Sequence, residues 1–116
     1  MNKYHVAPKG RRTVEGIVFD SKAEANRYVE LKILERAGEI KDLELQPAYS
    51  LLEPYVRPDG KKDRGIIYRA DFRYLDLKTN RIIVEDVKGA ITDVYRLKKK
   101  LLLAMYPDIN FVEVKV

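Results

Sequence analysis

The chain has 116 residues, with 23 Lys or Arg against 18 Asp or Glu and a formal charge of +5; this length predicts one domain with at most one site, and the basic excess favours an anionic partner such as nucleic acid. There is no cysteine, and His5 is the only histidine, so disulfides, thiolate zinc sites, cysteine nucleophiles and histidine-pair catalysis within one chain are excluded, and any hydrolytic chemistry has to rest on carboxylates and lysine. No apolar run approaches the roughly 20 residues of a membrane span, and the start Met1-Asn2-Lys3-Tyr4-His5 lacks the apolar core of a signal peptide, so a cytoplasmic protein without membrane contact is expected.

Residues 1–12 carry Lys3, Lys9, Arg11 and Arg12 with few apolar positions and predict a loose basic arm ahead of a single domain over 13–116. Thr13 to Phe19 predicts a short hairpin turned at Glu15-Gly16. A helix follows, opened by the capping box Ser21-x-x-Glu24, carried by Tyr28, Leu31 and Leu34, and stopped at Gly38. Ile40 to Leu52 predicts one bent strand, interrupted at Gln46-Pro47. Pro58 to Gly65 is polar, basic and glycine-punctuated, an exposed hairpin loop. From Ile66 to Tyr74 the pattern alternates, with Ile67, Arg69, Asp71 and Arg73 on one side and Ile66, Tyr68, Ala70, Phe72 and Tyr74 on the other. After a turn at Lys78 to Arg81, Ile82 to Val87 is apolar on both faces, as a central strand must be, and Gly89 ends it. Thr92 caps a second helix with a predicted inward stripe of Val94, Leu97, Leu101, Ala104 and Met105; Arg96, Lys99 and Lys100 project outward and Lys98 lies at the border. Pro107 stops this helix, and Ile109 to Val116 alternates as a last strand. The class is α/β, a sandwich of one mixed central sheet flanked by helices, in the order α-β-β-β-α-β after the short N-terminal hairpin.

Asp71 and the triplet Asp86-Val87-Lys88 stand in otherwise apolar strands, where an unneeded charge is costly. Strand alternation points Asp86 and Lys88 to one face, together with Ile82 and Val84. If Asp71 faces the same way, two carboxylates and an ammonium converge, a set able to hold a hard divalent cation such as magnesium and to stabilise charge on a phosphate. Glu24 shares the Tyr28 and Leu31 face of the first helix and points toward the core. Other readings stay open: Asp86 with Lys88 as an ordinary same-face ion pair, Glu24 as the capping-box acid, Arg96, Lys99 and Lys100 as a solvated helix face, and Arg69 with Arg73 as counter-charges to Asp71. The two roles of Glu24 compete for one carboxylate. Glu85 falls on the face opposite Asp86 and Lys88, although a bulge could exchange the two acids.

The spacing Glu24, Ala70-Asp71 and Asp86-Val87-Lys88, on helix, three strands, helix and strand, resembles the PD-(D/E)XK nuclease superfamily, whose members include type II restriction enzymes, Holliday junction resolvases and RecB-type nucleases. More narrowly, Phe19 to Ala25, Leu43 to Pro47, Tyr68 to Phe72 and Val84 to Gly89 resemble small phage and prophage proteins of no assigned function. The likeness covers roughly residues 17–116, and Ala70 stands where the superfamily's motif has proline. The resemblance implies a restriction-endonuclease-like fold and an endodeoxyribonuclease dependent on Mg²⁺ or Mn²⁺, of phage or prophage origin, working in the host cytoplasm and selective for branched DNA. In it Asp71 and Asp86 would be metal ligands, Lys88 would orient the water, and Glu24 would join the metal's inner or outer shell; the Val87 carbonyl is a further candidate ligand and Glu85 a weaker one. No nucleotide cofactor is expected, and a homodimer would place two sites on two strands. Phosphate contacts would come from the N-terminal arm, from Lys61, Lys62, Arg64 and Arg69, and from Arg96, Lys98, Lys99 and Lys100. The alternative is a noncatalytic DNA-binding or assembly module that keeps the nuclease fold. An RNA-binding domain is disfavoured because stacking aromatics on an open sheet are not evident.

Overall fold

A computed structural model of the chain describes residues 6–115; Lys3 and His5 of the predicted arm, and Val116 of the last predicted strand, lie outside the described residues. The rest of the arm is not loose. Lys9–Arg12 forms a 3-10 turn, because its polar groups find acceptors on the main chain. Thr13 Oγ1 donates to the Lys9 carbonyl at 2.5 Å, and Arg12 Nη1 donates to the Phe19 carbonyl at 2.8 Å.

The hairpin follows as predicted, β1 (Thr13–Val14) antiparallel to β2 (Ile17–Val18). Helix α1 (Lys22–Arg36) begins at Ser21, whose Oγ accepts the Glu24 amide at 3.1 Å. It ends where Gly38, at φ 78°, turns the chain so that the Glu39 amide reaches back to the Leu34 carbonyl at 3.0 Å, a left-handed C-terminal cap.

The predicted bent strand is β3 (Ile40–Leu45) followed by β4 (Ala48–Leu52). The hairpin loop carries a small ribbon of its own, β5 (Tyr55–Val56) paired with β6 (Lys62–Asp63). The returning arm, expected as one strand from Ile66 to Tyr74, is two: β7 (Ile66–Arg69) and β8 (Phe72–Asp76). The breaks face each other. Gln46, at φ 50°, donates its amide to the Asp71 carbonyl at 3.0 Å, and the Ala70 amide donates to the Pro47 carbonyl at 3.1 Å. Pro47 has no N–H to continue the ladder, so the antiparallel pair bends as a unit at Gln46-Pro47 and Ala70-Asp71.

Beyond the bend, β8 joins a four-stranded mixed sheet with β9 (Arg81–Lys88) and β10 (Asn110–Lys115), in the order β10-β9-β8-β3. Strand β9 is antiparallel to β8 and parallel to β10. The crossover between β9 and β10 is α2 (Asp93–Met105), capped by Thr92 Oγ1, which accepts the Tyr95 amide at 3.1 Å. With each bent pair counted as one strand and the small β1–β2 and β5–β6 ribbons set aside, the chain runs helix, three strands, helix, strand.

Two apolar cores sit on opposite faces of β9. Ile83 packs with Ala25, Tyr28 and Leu31 of α1 and with Phe72 and Tyr74, whereas Val84 packs with Tyr95 and Leu102 of α2 and with Tyr49, Leu51, Tyr68 and Ala70. The alternating face predicted for Tyr68, Ala70, Phe72 and Tyr74 is therefore divided: the bend turns the chain, sending the first two into one core and the last two into the other.

The predicted stripe of α2 is also corrected. Tyr95 and Leu102 are its buried residues, while Val94, Leu97 and Met105 are 64%, 60% and 50% exposed. A stripe read from aliphatic residues omits tyrosine, whose ring fills the core while its hydroxyl finds a partner. Tyr95 donates to Glu113 at 2.5 Å, and Tyr106, just past the helix, donates to the Ser50 carbonyl at 2.8 Å. Among the described residues no helix is long and apolar enough to cross a membrane.

Candidate functional site

The β8–β9 register pairs Phe72 with Glu85, and continued by one residue it sets Asp71 opposite Asp86, on the same face of the sheet. Asp71 stands in the bend, where its carboxylate substitutes for main chain: Oδ2 accepts the Val87 amide at 2.7 Å, and its own amide donates to the Glu85 carbonyl at 3.0 Å. The Asp86 carboxyl neighbours that of Asp71, and Asp71 in turn neighbours Glu24, closely enough for each to shift the titration of the next. The result is a chain of three carboxyl groups from α1 across the bend to β9.

Burial raises the pKa of all three. Asp71 is pushed up to about 6, with Glu24 adding to the effect and Asp86 and the Val87 amide opposing it. Asp86 is pushed up to about 7 by burial and Asp71, against the Tyr68 hydroxyl and the Lys88 charge. Glu24 is raised by burial, opposed by its bond to Asp71 and by the Asp20 amide. Ser21 Oγ holds the Glu24 main-chain amide, while the Glu24 carboxyl is buried toward Asp20 and Asp71.

Lys88 Nζ lies 3.3 Å from Asp86 Oδ1 and 4.4 Å from the centre of the Tyr95 ring. The Tyr68 hydroxyl donates to Asp86 Oδ2. Neither tyrosine was picked out from the sequence; the unpaired charge of a buried Asp86 was the available signal, since such a group requires a donor.

Glu85 is elsewhere. Fully buried on the α1 face, it accepts both Arg27 Nε at 2.7 Å and Arg27 Nη2 at 2.6 Å, and takes the Tyr74 hydroxyl as well. No bulge exchanges it with Asp86, and its lone pairs are engaged by this fork. Arg27 is one helical turn beyond Glu24, and a buried acid on a central strand was the sign that such a cation had to exist.

Two openings reach the carboxyl chain. A cleft of about 360 Å³ between β7 and the start of α2 exposes Asp86 and Lys88, with Arg69 and Lys98 on its walls; another of about 280 Å³ exposes Glu24 and Asp71 beside Gln46 and Phe19. Of the predicted phosphate contacts, Arg69 and Lys98 therefore flank Asp86, while Lys61, Lys62 and Arg64 are exposed on the β5–β6 ribbon and its exit. Arg96 is tied to Asp93 at 3.1 Å, and Lys100 is exposed. Lys99 does not project freely: it pairs with Glu113 at 3.1 Å, its ammonium 5.5 Å from the centre of the Phe111 ring. Arg73 does not balance Asp71, because it pairs with Glu44 at 2.5 Å and donates to the Tyr49 hydroxyl at 3.1 Å.

Carboxylate oxygens are the donors a hard cation takes, and of Glu24, Asp71 and Asp86 the last is the one with a cation, Lys88, at ion-pair distance. Among the described residues no group of three or more His, Cys, Asp or Glu is placed to hold a metal ion. The Val87 amide, the group of that residue seen to act in the site, holds Asp71.

The sequence pattern of one family extends over residues 1–115. The chain belongs to the DUF1064 family. DUF1064 is described as a protein of unknown function, and no curated protein and no solved structure matches the chain. The carboxyl chain, Lys88 and Tyr68 are thus the features from which a function for this DUF1064 member has to be argued.

Proposed function

We propose that this chain is a metal-dependent endodeoxyribonuclease of the PD-(D/E)XK superfamily, of restriction-endonuclease-like fold and phage or prophage origin, acting on branched DNA. The observation that carries the reading is the cross-strand placement of Asp71 against Asp86 with the Lys88 ammonium 3.3 Å from Asp86. Asp71, Asp86 and Glu24 would hold Mg²⁺ or Mn²⁺, which supplies charge neutralisation at the phosphate and a more acidic water. Lys88 donates to a non-bridging phosphate oxygen or to the attacking water, and the Tyr95 ring beneath its ammonium fixes its direction. Tyr68 holds Asp86 by its second oxygen, so that one carboxylate edge stays directed toward Lys88. Water adds to phosphorus as one of its protons goes to solvent, and the bond to the leaving sugar oxygen breaks as that oxygen takes a proton from solvent. Arg69 and Lys98 bind the flanking phosphates.

The test is incubation with supercoiled plasmid, linear duplex and a four-way junction, in Mg²⁺ or EDTA, with Lys88→Ala alongside. Cleavage that requires Mg²⁺ and vanishes in Lys88→Ala is expected; equal cleavage by the variant rejects the assignment. That no three His, Cys, Asp or Glu side chains among the described residues are placed to hold a metal ion favours a second reading, a DNA-binding or assembly module without catalysis. Calorimetric titration separates the two: saturable Mn²⁺ binding lost in Asp86→Asn belongs to the enzyme, and no binding belongs to the module.

A further inference from the structure

The cleft that exposes Asp86 and Lys88 does not end at Lys98. A second groove of about 350 Å³ continues from it, sharing Ile67, Val94 and Lys98 and then lined by Gly65, Ile66, Leu97 and Leu101. The two halves differ in chemistry. The first carries the cations Arg69, Lys88 and Lys98 beside the candidate site, and the second is aliphatic. Lys98 sits on the boundary, with its ammonium at a long 3.4 Å from the Ile67 carbonyl, which leaves donors for an anion. The apolar half is open: Val94, Leu97 and Ile67 are 64%, 60% and 49% exposed. An anion-binding end joined to an apolar slot has the polarity of a single nucleotide, a phosphate attached to an apolar-faced base.

We propose that this groove is a nucleotide subsite: Arg69 and Lys98 take a backbone phosphate, and the slot between β7 and α2 takes the base of an unpaired nucleotide next to the phosphate that is cut. The inference rests on the nuclease reading for its orientation and makes DNA with an unpaired nucleotide, single-stranded or at the flap or gap of a branch, rather than intact duplex, the substrate class. In a duplex the bases are stacked and paired, so none is free to enter a slot set to one side of the backbone. Aliphatic walls hold a base by desolvation and dispersion without reading its edge, so the subsite discriminates paired from unpaired, not one sequence from another.

The experiment measures binding in EDTA, where no cleavage occurs, by fluorescence anisotropy of a short labelled single strand, of its duplex, and of a series of strands with one abasic position moved along the sequence. Wild-type protein is expected to bind the single strand more tightly than the duplex and to lose about five- to tenfold in affinity at one abasic position. Leu97→Ser and Val94→Ser, both at exposed positions, should melt like the wild type, bind the intact strand more weakly and no longer sense the missing base. Equal affinity for duplex and single strand, or variants that discriminate like the wild type, overturns the subsite. So does a wild-type dimer in sedimentation that Leu97→Ser dissociates, because the groove is then covered by a second protein chain. The two readings fail separately. Base-sensitive binding without Mg²⁺-dependent cleavage removes the nuclease and leaves the subsite, and cleavage with strand preference unchanged in Leu97→Ser does the reverse.

Discussion

Asp71 and Asp86 set the response of the metal-free protein to pH. Both carboxyls ordinarily titrate at 3.8 and are raised to about 6 and about 7, so the folded state binds their protons more tightly than the unfolded chain does. Their contribution to stability is complete below pH 4 and is lost as pH rises through 6 to 7. In EDTA, Asp86→Asn should melt several degrees above wild type at pH 8 and much closer to it at pH 5, by circular dichroism. A deficit at both pH values would mean that the carboxylate stabilises the fold. Glu85 is held differently. Its charge is matched by the Arg27 fork, so Arg27→Ala strands a buried anion and should cost about 3 kcal/mol or more in urea unfolding. The sequence separated the two neighbouring acids by alternation alone, placing Asp86 with Lys88 and Glu85 opposite, and the geometry agrees. It was silent on Arg27, Tyr68 and Tyr95, because these partners come from other elements and only tertiary packing brings them near.

At the level of elements, what could be read were features written in local chemistry: both helix caps, the turn at Glu15-Gly16, and the buried central strand. What could not be read were features set by the bend. Nothing in Ile66 to Tyr74 marks a break, since Ala70 and Asp71 continue the alternation; the cause lies across the ladder, at Gln46-Pro47. The stripe of α2 was misread for a related reason, tyrosine being both apolar body and polar tip. The ribbon leading into β7 has its own constraint: a Cβ on Gly65 would lie 2.1 Å from the Leu52 carbonyl oxygen. Gly65→Ala must push these backbones apart, and a loss of about 1–3 kcal/mol is expected, with the groove between β7 and α2 distorted as a result. Normal stability in chemical denaturation would show that the two segments are not held this closely.

Across the whole molecule, the excess of positive charge is distributed rather than gathered. Lys61, Lys62 and Arg64 lie on one ribbon, Arg69 and Lys98 beside the acids, and Lys100 on the outer face of α2. DNA affinity should therefore fall linearly on a log–log plot against salt, and replacing Lys61, Lys62 and Arg64 together by Ala should reduce the slope by about 2. An unchanged slope would take the ribbon off the DNA path.

Strand β9 divides its buried residues between two faces. Ile83 and Glu85 serve the α1 side, and Val84, Asp86 and Lys88 serve the α2 side. A slip of one residue against β8 would send Glu85 into the Lys88 cleft and aim Asp86 at Arg27, while exchanging the apolar residues of both cores. A chain folded out of register would thus lose both cores and the Asp86–Lys88 pair at once, and an insertion or deletion within 82–88 would do the same. In this strand, the register that builds the cores is also the register that sets Asp71 against Asp86.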